Sequence, residues 1–210
     1  DDVNSIGANT IRALYEDKSG ILWIGTEGGG LNRYNSAQES FTRFAYDPKN
    51  PTSLSSNVVT SIYEDKLGTL WVGTRDGGLN LFNLENENFI CYKNNPNDPT
   101  SLSSNTIAPI HEDSDGNLWI GTVGGGLNKF DRINKKFIRF THNPSEPTSL
   151  SHNDISGISE DNFGNIWIST LGGGLNKFNY QDDQHTIKFI HYKNNPIDPN
   201  SLNNNNIATL

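Results

Sequence analysis

Between residues 57 and 93 the chain falls into short apolar-rich segments separated by polar turns. The first runs near Asn57–Glu64 with Val59 and Ile62 as its apolar positions, and Asp65-Lys66-Leu67-Gly68 turns the chain. The second is Thr69–Thr74, followed by a turn at Asp76-Gly77-Gly78. The third is Leu79–Asn83 and the fourth Phe89–Lys93. None sustains a 3.6-residue apolar period. Strands of about five residues bounded by Gly and Asx turns are the signature of antiparallel sheet. The chain is predicted to be all-β.

The same pattern recurs along the whole chain. Trp23, Trp71, Trp119 and Trp167 are each separated by 48 residues. Each is preceded by Glu-Asp (Glu16-Asp17, Glu64-Asp65, Glu112-Asp113, Glu160-Asp161) and a Gly, and followed by Ile or Val, Gly or Ser, and Thr. A glycine cluster, a Leu-Asn pair and an aromatic strand starting at Phe41, Phe89, Phe137 or Phe189 complete the unit. The Trp-to-Phe distance is 18 residues in three units and 22 in the fourth, which places a four-residue insertion near Tyr180–Thr186. Four antiparallel strands repeating every 40-odd residues around a fixed aromatic indicate β-propeller blades. A stacked β-solenoid is the runner-up, disfavoured by the long repeat and the hairpin pattern. The blades are expected at about 9–56, 57–104, 105–152 and 153–204. Residues 205–210 match 9–14 and form the first strand of a fifth blade. This predicts a segment of a larger ring, or half of an eight-bladed ring that two chains complete by self-association.

Composition narrows the functional classes. The chain has 210 residues, 33% hydrophobic and 10% aromatic, which argues for folded structure despite a lean apolar content. Its net charge of -8 disfavours nucleic-acid binding, which needs a basic stripe. No apolar run approaches the roughly 20 residues of a membrane helix. The absence of Met indicates a piece of a longer protein, so any membrane attachment is expected in other parts of the parent chain. The single Cys91 excludes an internal disulfide and a Cys-rich zinc site. It aligns with Arg43, Arg139 and His191, a column expected to reach solvent, so its thiol is expected to be accessible.

The run from Tyr63 to Thr74, Tyr-Glu-Asp-Lys-Leu-Gly-Thr-Leu-Trp-Val-Gly-Thr, followed by Gly77-Gly78-Leu79-Asn80, resembles the two-component regulator propeller repeat. The resemblance covers essentially the whole chain, in four registered copies. It implies the extracytoplasmic sensor region of a bacterial histidine kinase, often a hybrid kinase, on the periplasmic or extracellular side of a membrane-anchored receptor. It also occurs on some cyclase-type regulators. Relatives typically form seven-bladed rings followed by an immunoglobulin-like domain, a membrane helix and a kinase. Carbohydrate is the cue that the resemblance suggests.

Repetition also separates scaffold from site. A residue present in every unit serves the blade, so the Glu-Asp pairs are read as turn formers rather than as catalytic or calcium-binding carboxylates. The glycine clusters lack the following helix of a phosphate cradle. The five His residues show no zinc spacing, and no nucleophile motif occurs, so neither metal, cofactor nor catalytic activity is expected of this segment. The positions that vary lie in the turn between second and third strands and in the inter-blade connections, which share a face in a propeller. They are Glu27, Arg75 and Asp76, and Asn95, Asp98, His142 and Asn143. Arg75-Asp76 interrupts the glycine pattern, and an arginine beside carboxylates and amides suits an oligosaccharide or another hydroxyl-rich or acidic small ligand. A sensor-type binding module is the preferred reading. A structural or protein-interaction propeller serving as a dimerisation platform is the alternative. A polysaccharide-degrading propeller ranks third, because its carboxylates would be blade-specific rather than periodic.

Overall fold

The computed structural model describes residues 4–179 and 187–210; the insertion expected near Tyr180–Thr186 lies outside the described residues. Among the described residues every regular element is a strand. The first sheet contains β1 (Ile11–Glu16), β2 (Leu22–Thr26), β3 (Leu31–Asn35) and β4 (Ser40–Phe44). The second contains β5 (Val59–Glu64), β6 (Leu70–Thr74), β7 (Gly78–Asn83) and β8 (Asn88–Tyr92). The third contains β9 (Ile107–Glu112), β10 (Leu118–Thr122), β11 (Gly126–Asp131) and β12 (Lys136–Phe140). The fourth contains β13 (Ile155–Glu160), β14 (Asn165–Thr170), β15 (Gly174–Asn179) and β16 (Ile190–Tyr192). Each is a four-stranded antiparallel meander in sequence order, a propeller blade. Two compact units contain two blades each: one holds β1 to β8, and the other holds β10 to β16 with all but the first residue of β9.

The repeated motif supplies the internal fastenings of a blade. Asp17, Asp65, Asp113 and Asp161 each close the first turn, and each accepts the indole N–H of its blade's tryptophan at 2.8–2.9 Å. Thr26, Thr74, Thr122 and Thr170 close the second turn, their hydroxyls donating to the carbonyl of a glycine four residues on. The buried Asn32, Asn80, Asn128 and Asn176 accept backbone N–H groups of Gly7, Ser55, Ser103 and Ser151, fixing the preceding connection to the blade. These buried polar groups are paired, as burial demands.

Packing between blades uses the tryptophan and the glycine after it. In the first unit Trp23, fully buried, packs against Phe82 of the next blade with ring centroids 5.3 Å apart, and Leu54, Val59 and Phe89 join the same core. In the second unit Trp119 meets Phe178 at 5.2 Å in the same manner. Gly25 lies under Val59, where an added Cβ would sit 2.5 Å from a valine methyl. This close approach explains the glycine of the Trp-Ile-Gly-Thr motif. The inner strands β1, β5 and β13 carry a register shift near their second residue, which the apolar pattern does not announce.

Candidate functional site

In each unit the connection meets the turn between second and third strands. The Asn57 carbonyl accepts from Gly28 and Gly30, and its side chain accepts from Tyr46, so connection and turn share one face of the first blade. Asn153 serves the same purpose for Gly126 and His142 in the second unit.

On that face of the first unit a charged group breaks the repeat. Glu27 bridges two arginines: Arg12 donates to one carboxylate oxygen through Nε at 2.7 Å and through a second guanidinium nitrogen, and Arg75 donates to the other at 3.1 Å. The Arg12 hydrogen bond, aided by the charges of Arg12 and Arg75, holds the Glu27 carboxyl below the usual carboxylate range. Asp76 stands beside Arg75 in the glycine column. It adopts φ 63°, a left-handed conformation taken by Gly28, Gly124 and Gly172 at the equivalent turns. An L residue there is strained by roughly 1 kcal/mol or more. Its carboxylate accepts the Thr106 hydroxyl at 3.1 Å. Two guanidinium groups share one carboxylate, so the triad has net positive charge, and Asp76 adds an acceptor next to it. Such a set can bind a ligand that offers both acceptors and hydroxyl donors. In the second unit the positions of Glu27 and Arg75 are Val123 and Leu171, both exposed.

The remaining expected site residues have local tasks. The Asn95 side chain accepts from the Asn97 amide at 3.1 Å. Asp98 accepts the amide and the hydroxyl of Thr100 at 2.8 and 2.7 Å, and these bonds, the hydroxyl first, hold its carboxyl low. Asn143 accepts from the Ser145 amide at 3.0 Å, and His142 Nδ1 lies 2.8 Å from the Leu150 carbonyl. Asp47, Asn50, Asn195 and Asp198 form the same turns in their connections. These side chains close turns within their own connections, and Asn or Asp recurs in all four connections at the position of Asn95 and Asn143. Arg12 was missed. Its counterparts are Thr60, Ala108 and Ser156, so it is a charged exception on an inner strand.

The thiol column also differs from expectation. Cys91 is partly buried, its thiol lies 3.3 Å from the Gly77 carbonyl, and burial pushes its pKa up.

Comparison with known proteins agrees with this architecture. The two component regulator propeller model matches residues 5–28, 53–76, 101–124 and 149–172. The extracellular domain of a hybrid two-component system from B. thetaiotaomicron is 26% identical, with a TM-score of 0.77 over 90% of this chain and 25% of its own. PorZ, a surface component of the type-IX secretion system of Porphyromonas gingivalis, shares the fold at 17% identity and a TM-score of 0.68, over 99% of this chain and 30% of its own. A virginiamycin B lyase from Staphylococcus aureus shares the fold at 16% identity and a TM-score of 0.59, over 88% of this chain and 56% of its own. This chain thus spans 25% of the length of the two-component relative and 30% of that of PorZ. No curated protein matches the sequence.

Proposed function

The chain carries four two-component regulator propeller repeats, and from that premise we propose that it is the ligand-sensing propeller of a bacterial two-component signalling protein. It works on the extracytoplasmic side of a membrane-anchored receptor whose output is a histidine kinase. Its cue is a hydroxyl-rich or acidic small molecule, an oligosaccharide first of all. The observation that carries this reading is the Arg12–Glu27–Arg75 triad with the strained Asp76 beside it. A blade needs none of these residues, since other copies use Val, Leu and Gly at the turn and Thr, Ala and Ser at the position of Arg12. Strain retained at a turn where glycine is available indicates a task for the side chain. The reading is binding rather than catalysis, because the periodic aspartates are committed to indole N–H groups.

Calorimetric titration with neutral and acidic oligosaccharides tests it. One member of the set should bind, and Arg75→Ala should weaken it about tenfold, equivalent to 1.4 kcal/mol, at an unchanged melting temperature. Equal binding by native protein and Arg75→Ala would overturn the site. Binding of no member of the set would overturn the carbohydrate cue.

A second reading, self-association, has its own support. Ile11 and Leu14 on β1 are 42% and 65% exposed, whereas Val59 and Ile62 at the equivalent places on β5 are 0% and 8% exposed. In the other unit Trp167 is partly exposed, in a cleft of about 420 Å³ with Leu175 and Tyr192. We propose that a second copy covers these two faces, as a neighbouring blade covers Trp23 and Trp119. The segment 205–210 already lies along β14's turn, with the Asn205 carbonyl accepting from Gly172 and Gly174. It takes the lane of an incoming inner strand, so an incoming β1 must displace it. Removal of residues 205–210 should therefore strengthen self-association in light scattering. A strictly monomeric mass with and without them would exclude this reading.

A further inference from the structure

One column of the fourth strands clamps three of the four blades to the connection that precedes each. Arg43, Cys91, Arg139 and His191 stand opposite Asn32, Asn80, Asn128 and Asn176 in identical register. Arg139 donates through Nε to the Ser101 carbonyl at 2.8 Å. Its Nη2 reaches the Asp98 carbonyl at 2.9 Å, Ser101 Oγ at 2.7 Å and the Leu102 carbonyl at 3.2 Å. Arg43 repeats the pattern on Ser5, with 2.6 Å to the carbonyl and 2.8 Å to Oγ. His191 Nε2 lies 2.7 Å from the Ser149 carbonyl. Cys91 breaks the column, because its thiol is turned to Gly77.

The connection ahead of Cys91 nevertheless keeps the shape that receives Arg139. The Ser53 amide donates to the Asn50 carbonyl at 3.1 Å, as Ser101 does to Asp98 at 3.1 Å. Ser53 Oγ accepts the Asp47 amide at 3.0 Å, as Ser101 Oγ accepts that of Asn95 at 2.8 Å. The Thr52 carbonyl accepts from Phe89 at 2.8 Å, as that of Thr100 accepts from Phe137 at 2.7 Å. The carbonyls of Asn50, Ser53 and Leu54 and Ser53 Oγ therefore stand in the arrangement that elsewhere accepts a guanidinium. A thiol is a single weak donor and cannot replace that planar fork.

A cleft of about 360 Å³ opens along this connection, lined by Asn50, Ser53 and Leu54 and by Asn86, Glu87 and Asn88 of the hairpin leading into β8. Glu87 brings a carboxylate, 47% exposed, which Arg33 approaches at 2.8 Å. Arg43 also lines the cleft, with its guanidinium committed to Ser5. We infer that this cleft is a guanidinium-binding site that takes the side chain of arginine, free or within a peptide. The neutral carbonyls supply the directional acceptors, for which guanidinium is better shaped than ammonium, and Glu87, whose charge Arg33 already offsets, adds one further acceptor. The site is separate from the Arg12–Glu27–Arg75 group and does not depend on its assignment.

Amide chemical shifts of the whole chain titrated with methylguanidinium, methylammonium, L-arginine and N-acetyl-arginine amide provide the test. Methylguanidinium and both arginine compounds should give saturable shifts confined to Asn50–Leu54 and Asn86–Phe89. Stronger binding by N-acetyl-arginine amide than by L-arginine would identify a peptide as the source, and the reverse the free amino acid. Methylammonium should bind about tenfold more weakly. Cys91→Arg should abolish binding by supplying the clamp internally, and Cys91→Ser should retain it. Glu87→Gln, at an exposed hairpin, should weaken binding severalfold without altering the fold. Shifts spread evenly over acidic surface residues, equal binding of methylammonium, or unchanged affinity in Glu87→Gln or in folded Cys91→Arg would overturn the inference.

Discussion

Trp119 donates its indole N–H to the carboxylate of Asp113 at 2.8 Å, and both residues are buried. The aspartate also accepts from the Asn117 amide and side chain, so one carboxylate closes the turn and orients the ring. Asp113→Ala leaves a buried indole N–H without its acceptor. The expected cost is about 1–3 kcal/mol, measured by chemical denaturation. A loss below about 0.5 kcal/mol would mean that water reaches the indole.

The equivalent bond in the fourth blade predicts acid sensitivity. Asp161 accepts the Trp167 N–H at 2.9 Å, and this bond, supported by those from Asn165 and Phe163, holds its carboxyl well below the usual carboxylate range. A carboxyl whose pKa is lower folded than unfolded adds stability above the unfolded value, about 4, and this is lost as pH falls through the folded value. The melting temperature should decline below about pH 4. The decline should be shallower in Asp161→Asn. Parallel acid limbs for the two proteins would count against this assignment.

At Gly121 an added Cβ would lie 2.6 Å from an Ile155 methyl and 2.9 Å from the Pro109 ring. Gly121→Ala should cost about 1–3 kcal/mol through overpacking. The check is thermal and denaturant unfolding; a neutral effect would show that the blades can separate without loss.

Asp76 offers a case where stability and function should diverge. Its φ of 63° suits glycine, so Asp76→Gly should hold or raise stability by up to about 1 kcal/mol, and Asp76→Ala should lower it. Loss of more than about 1 kcal/mol in the glycine variant would make the Thr106 bond structural instead.

Cys91 should react slowly with a thiol reagent. It is partly buried, and its raised pKa leaves little thiolate at neutral pH. Labelling of the native protein as fast as that of the denatured chain would place the thiol in solvent.

The repeat made much of the fold legible from residues alone. Each strand, each turn and the tryptophan column recur at a fixed interval, and strand–turn chemistry is local, so neighbouring residues state it. The expected strands near Asn57, Thr69, Leu79 and Phe89 lie within two residues of β5 to β8. Residues that vary between units pointed to Arg75 and Asp76. The same reading grouped Asn95, Asp98 and Asn143 with them, although these side chains close their own turns.

Only the tertiary structure decided which variable residues meet. Arg12 reaches Glu27 because β1 and the turn after β2 lie side by side, a proximity set by sheet pairing and register rather than by sequence spacing. The clamp from Arg139 to Ser101 spans 38 residues and depends on how the connection lies along the fourth strand. Local sequence encodes the hairpins, whose partners are chain neighbours. The Arg75–Glu27 half of the charged group, the clamp and the exposure of Trp167 depend on contacts between segments far apart in the chain, and these exist only once the blades have packed.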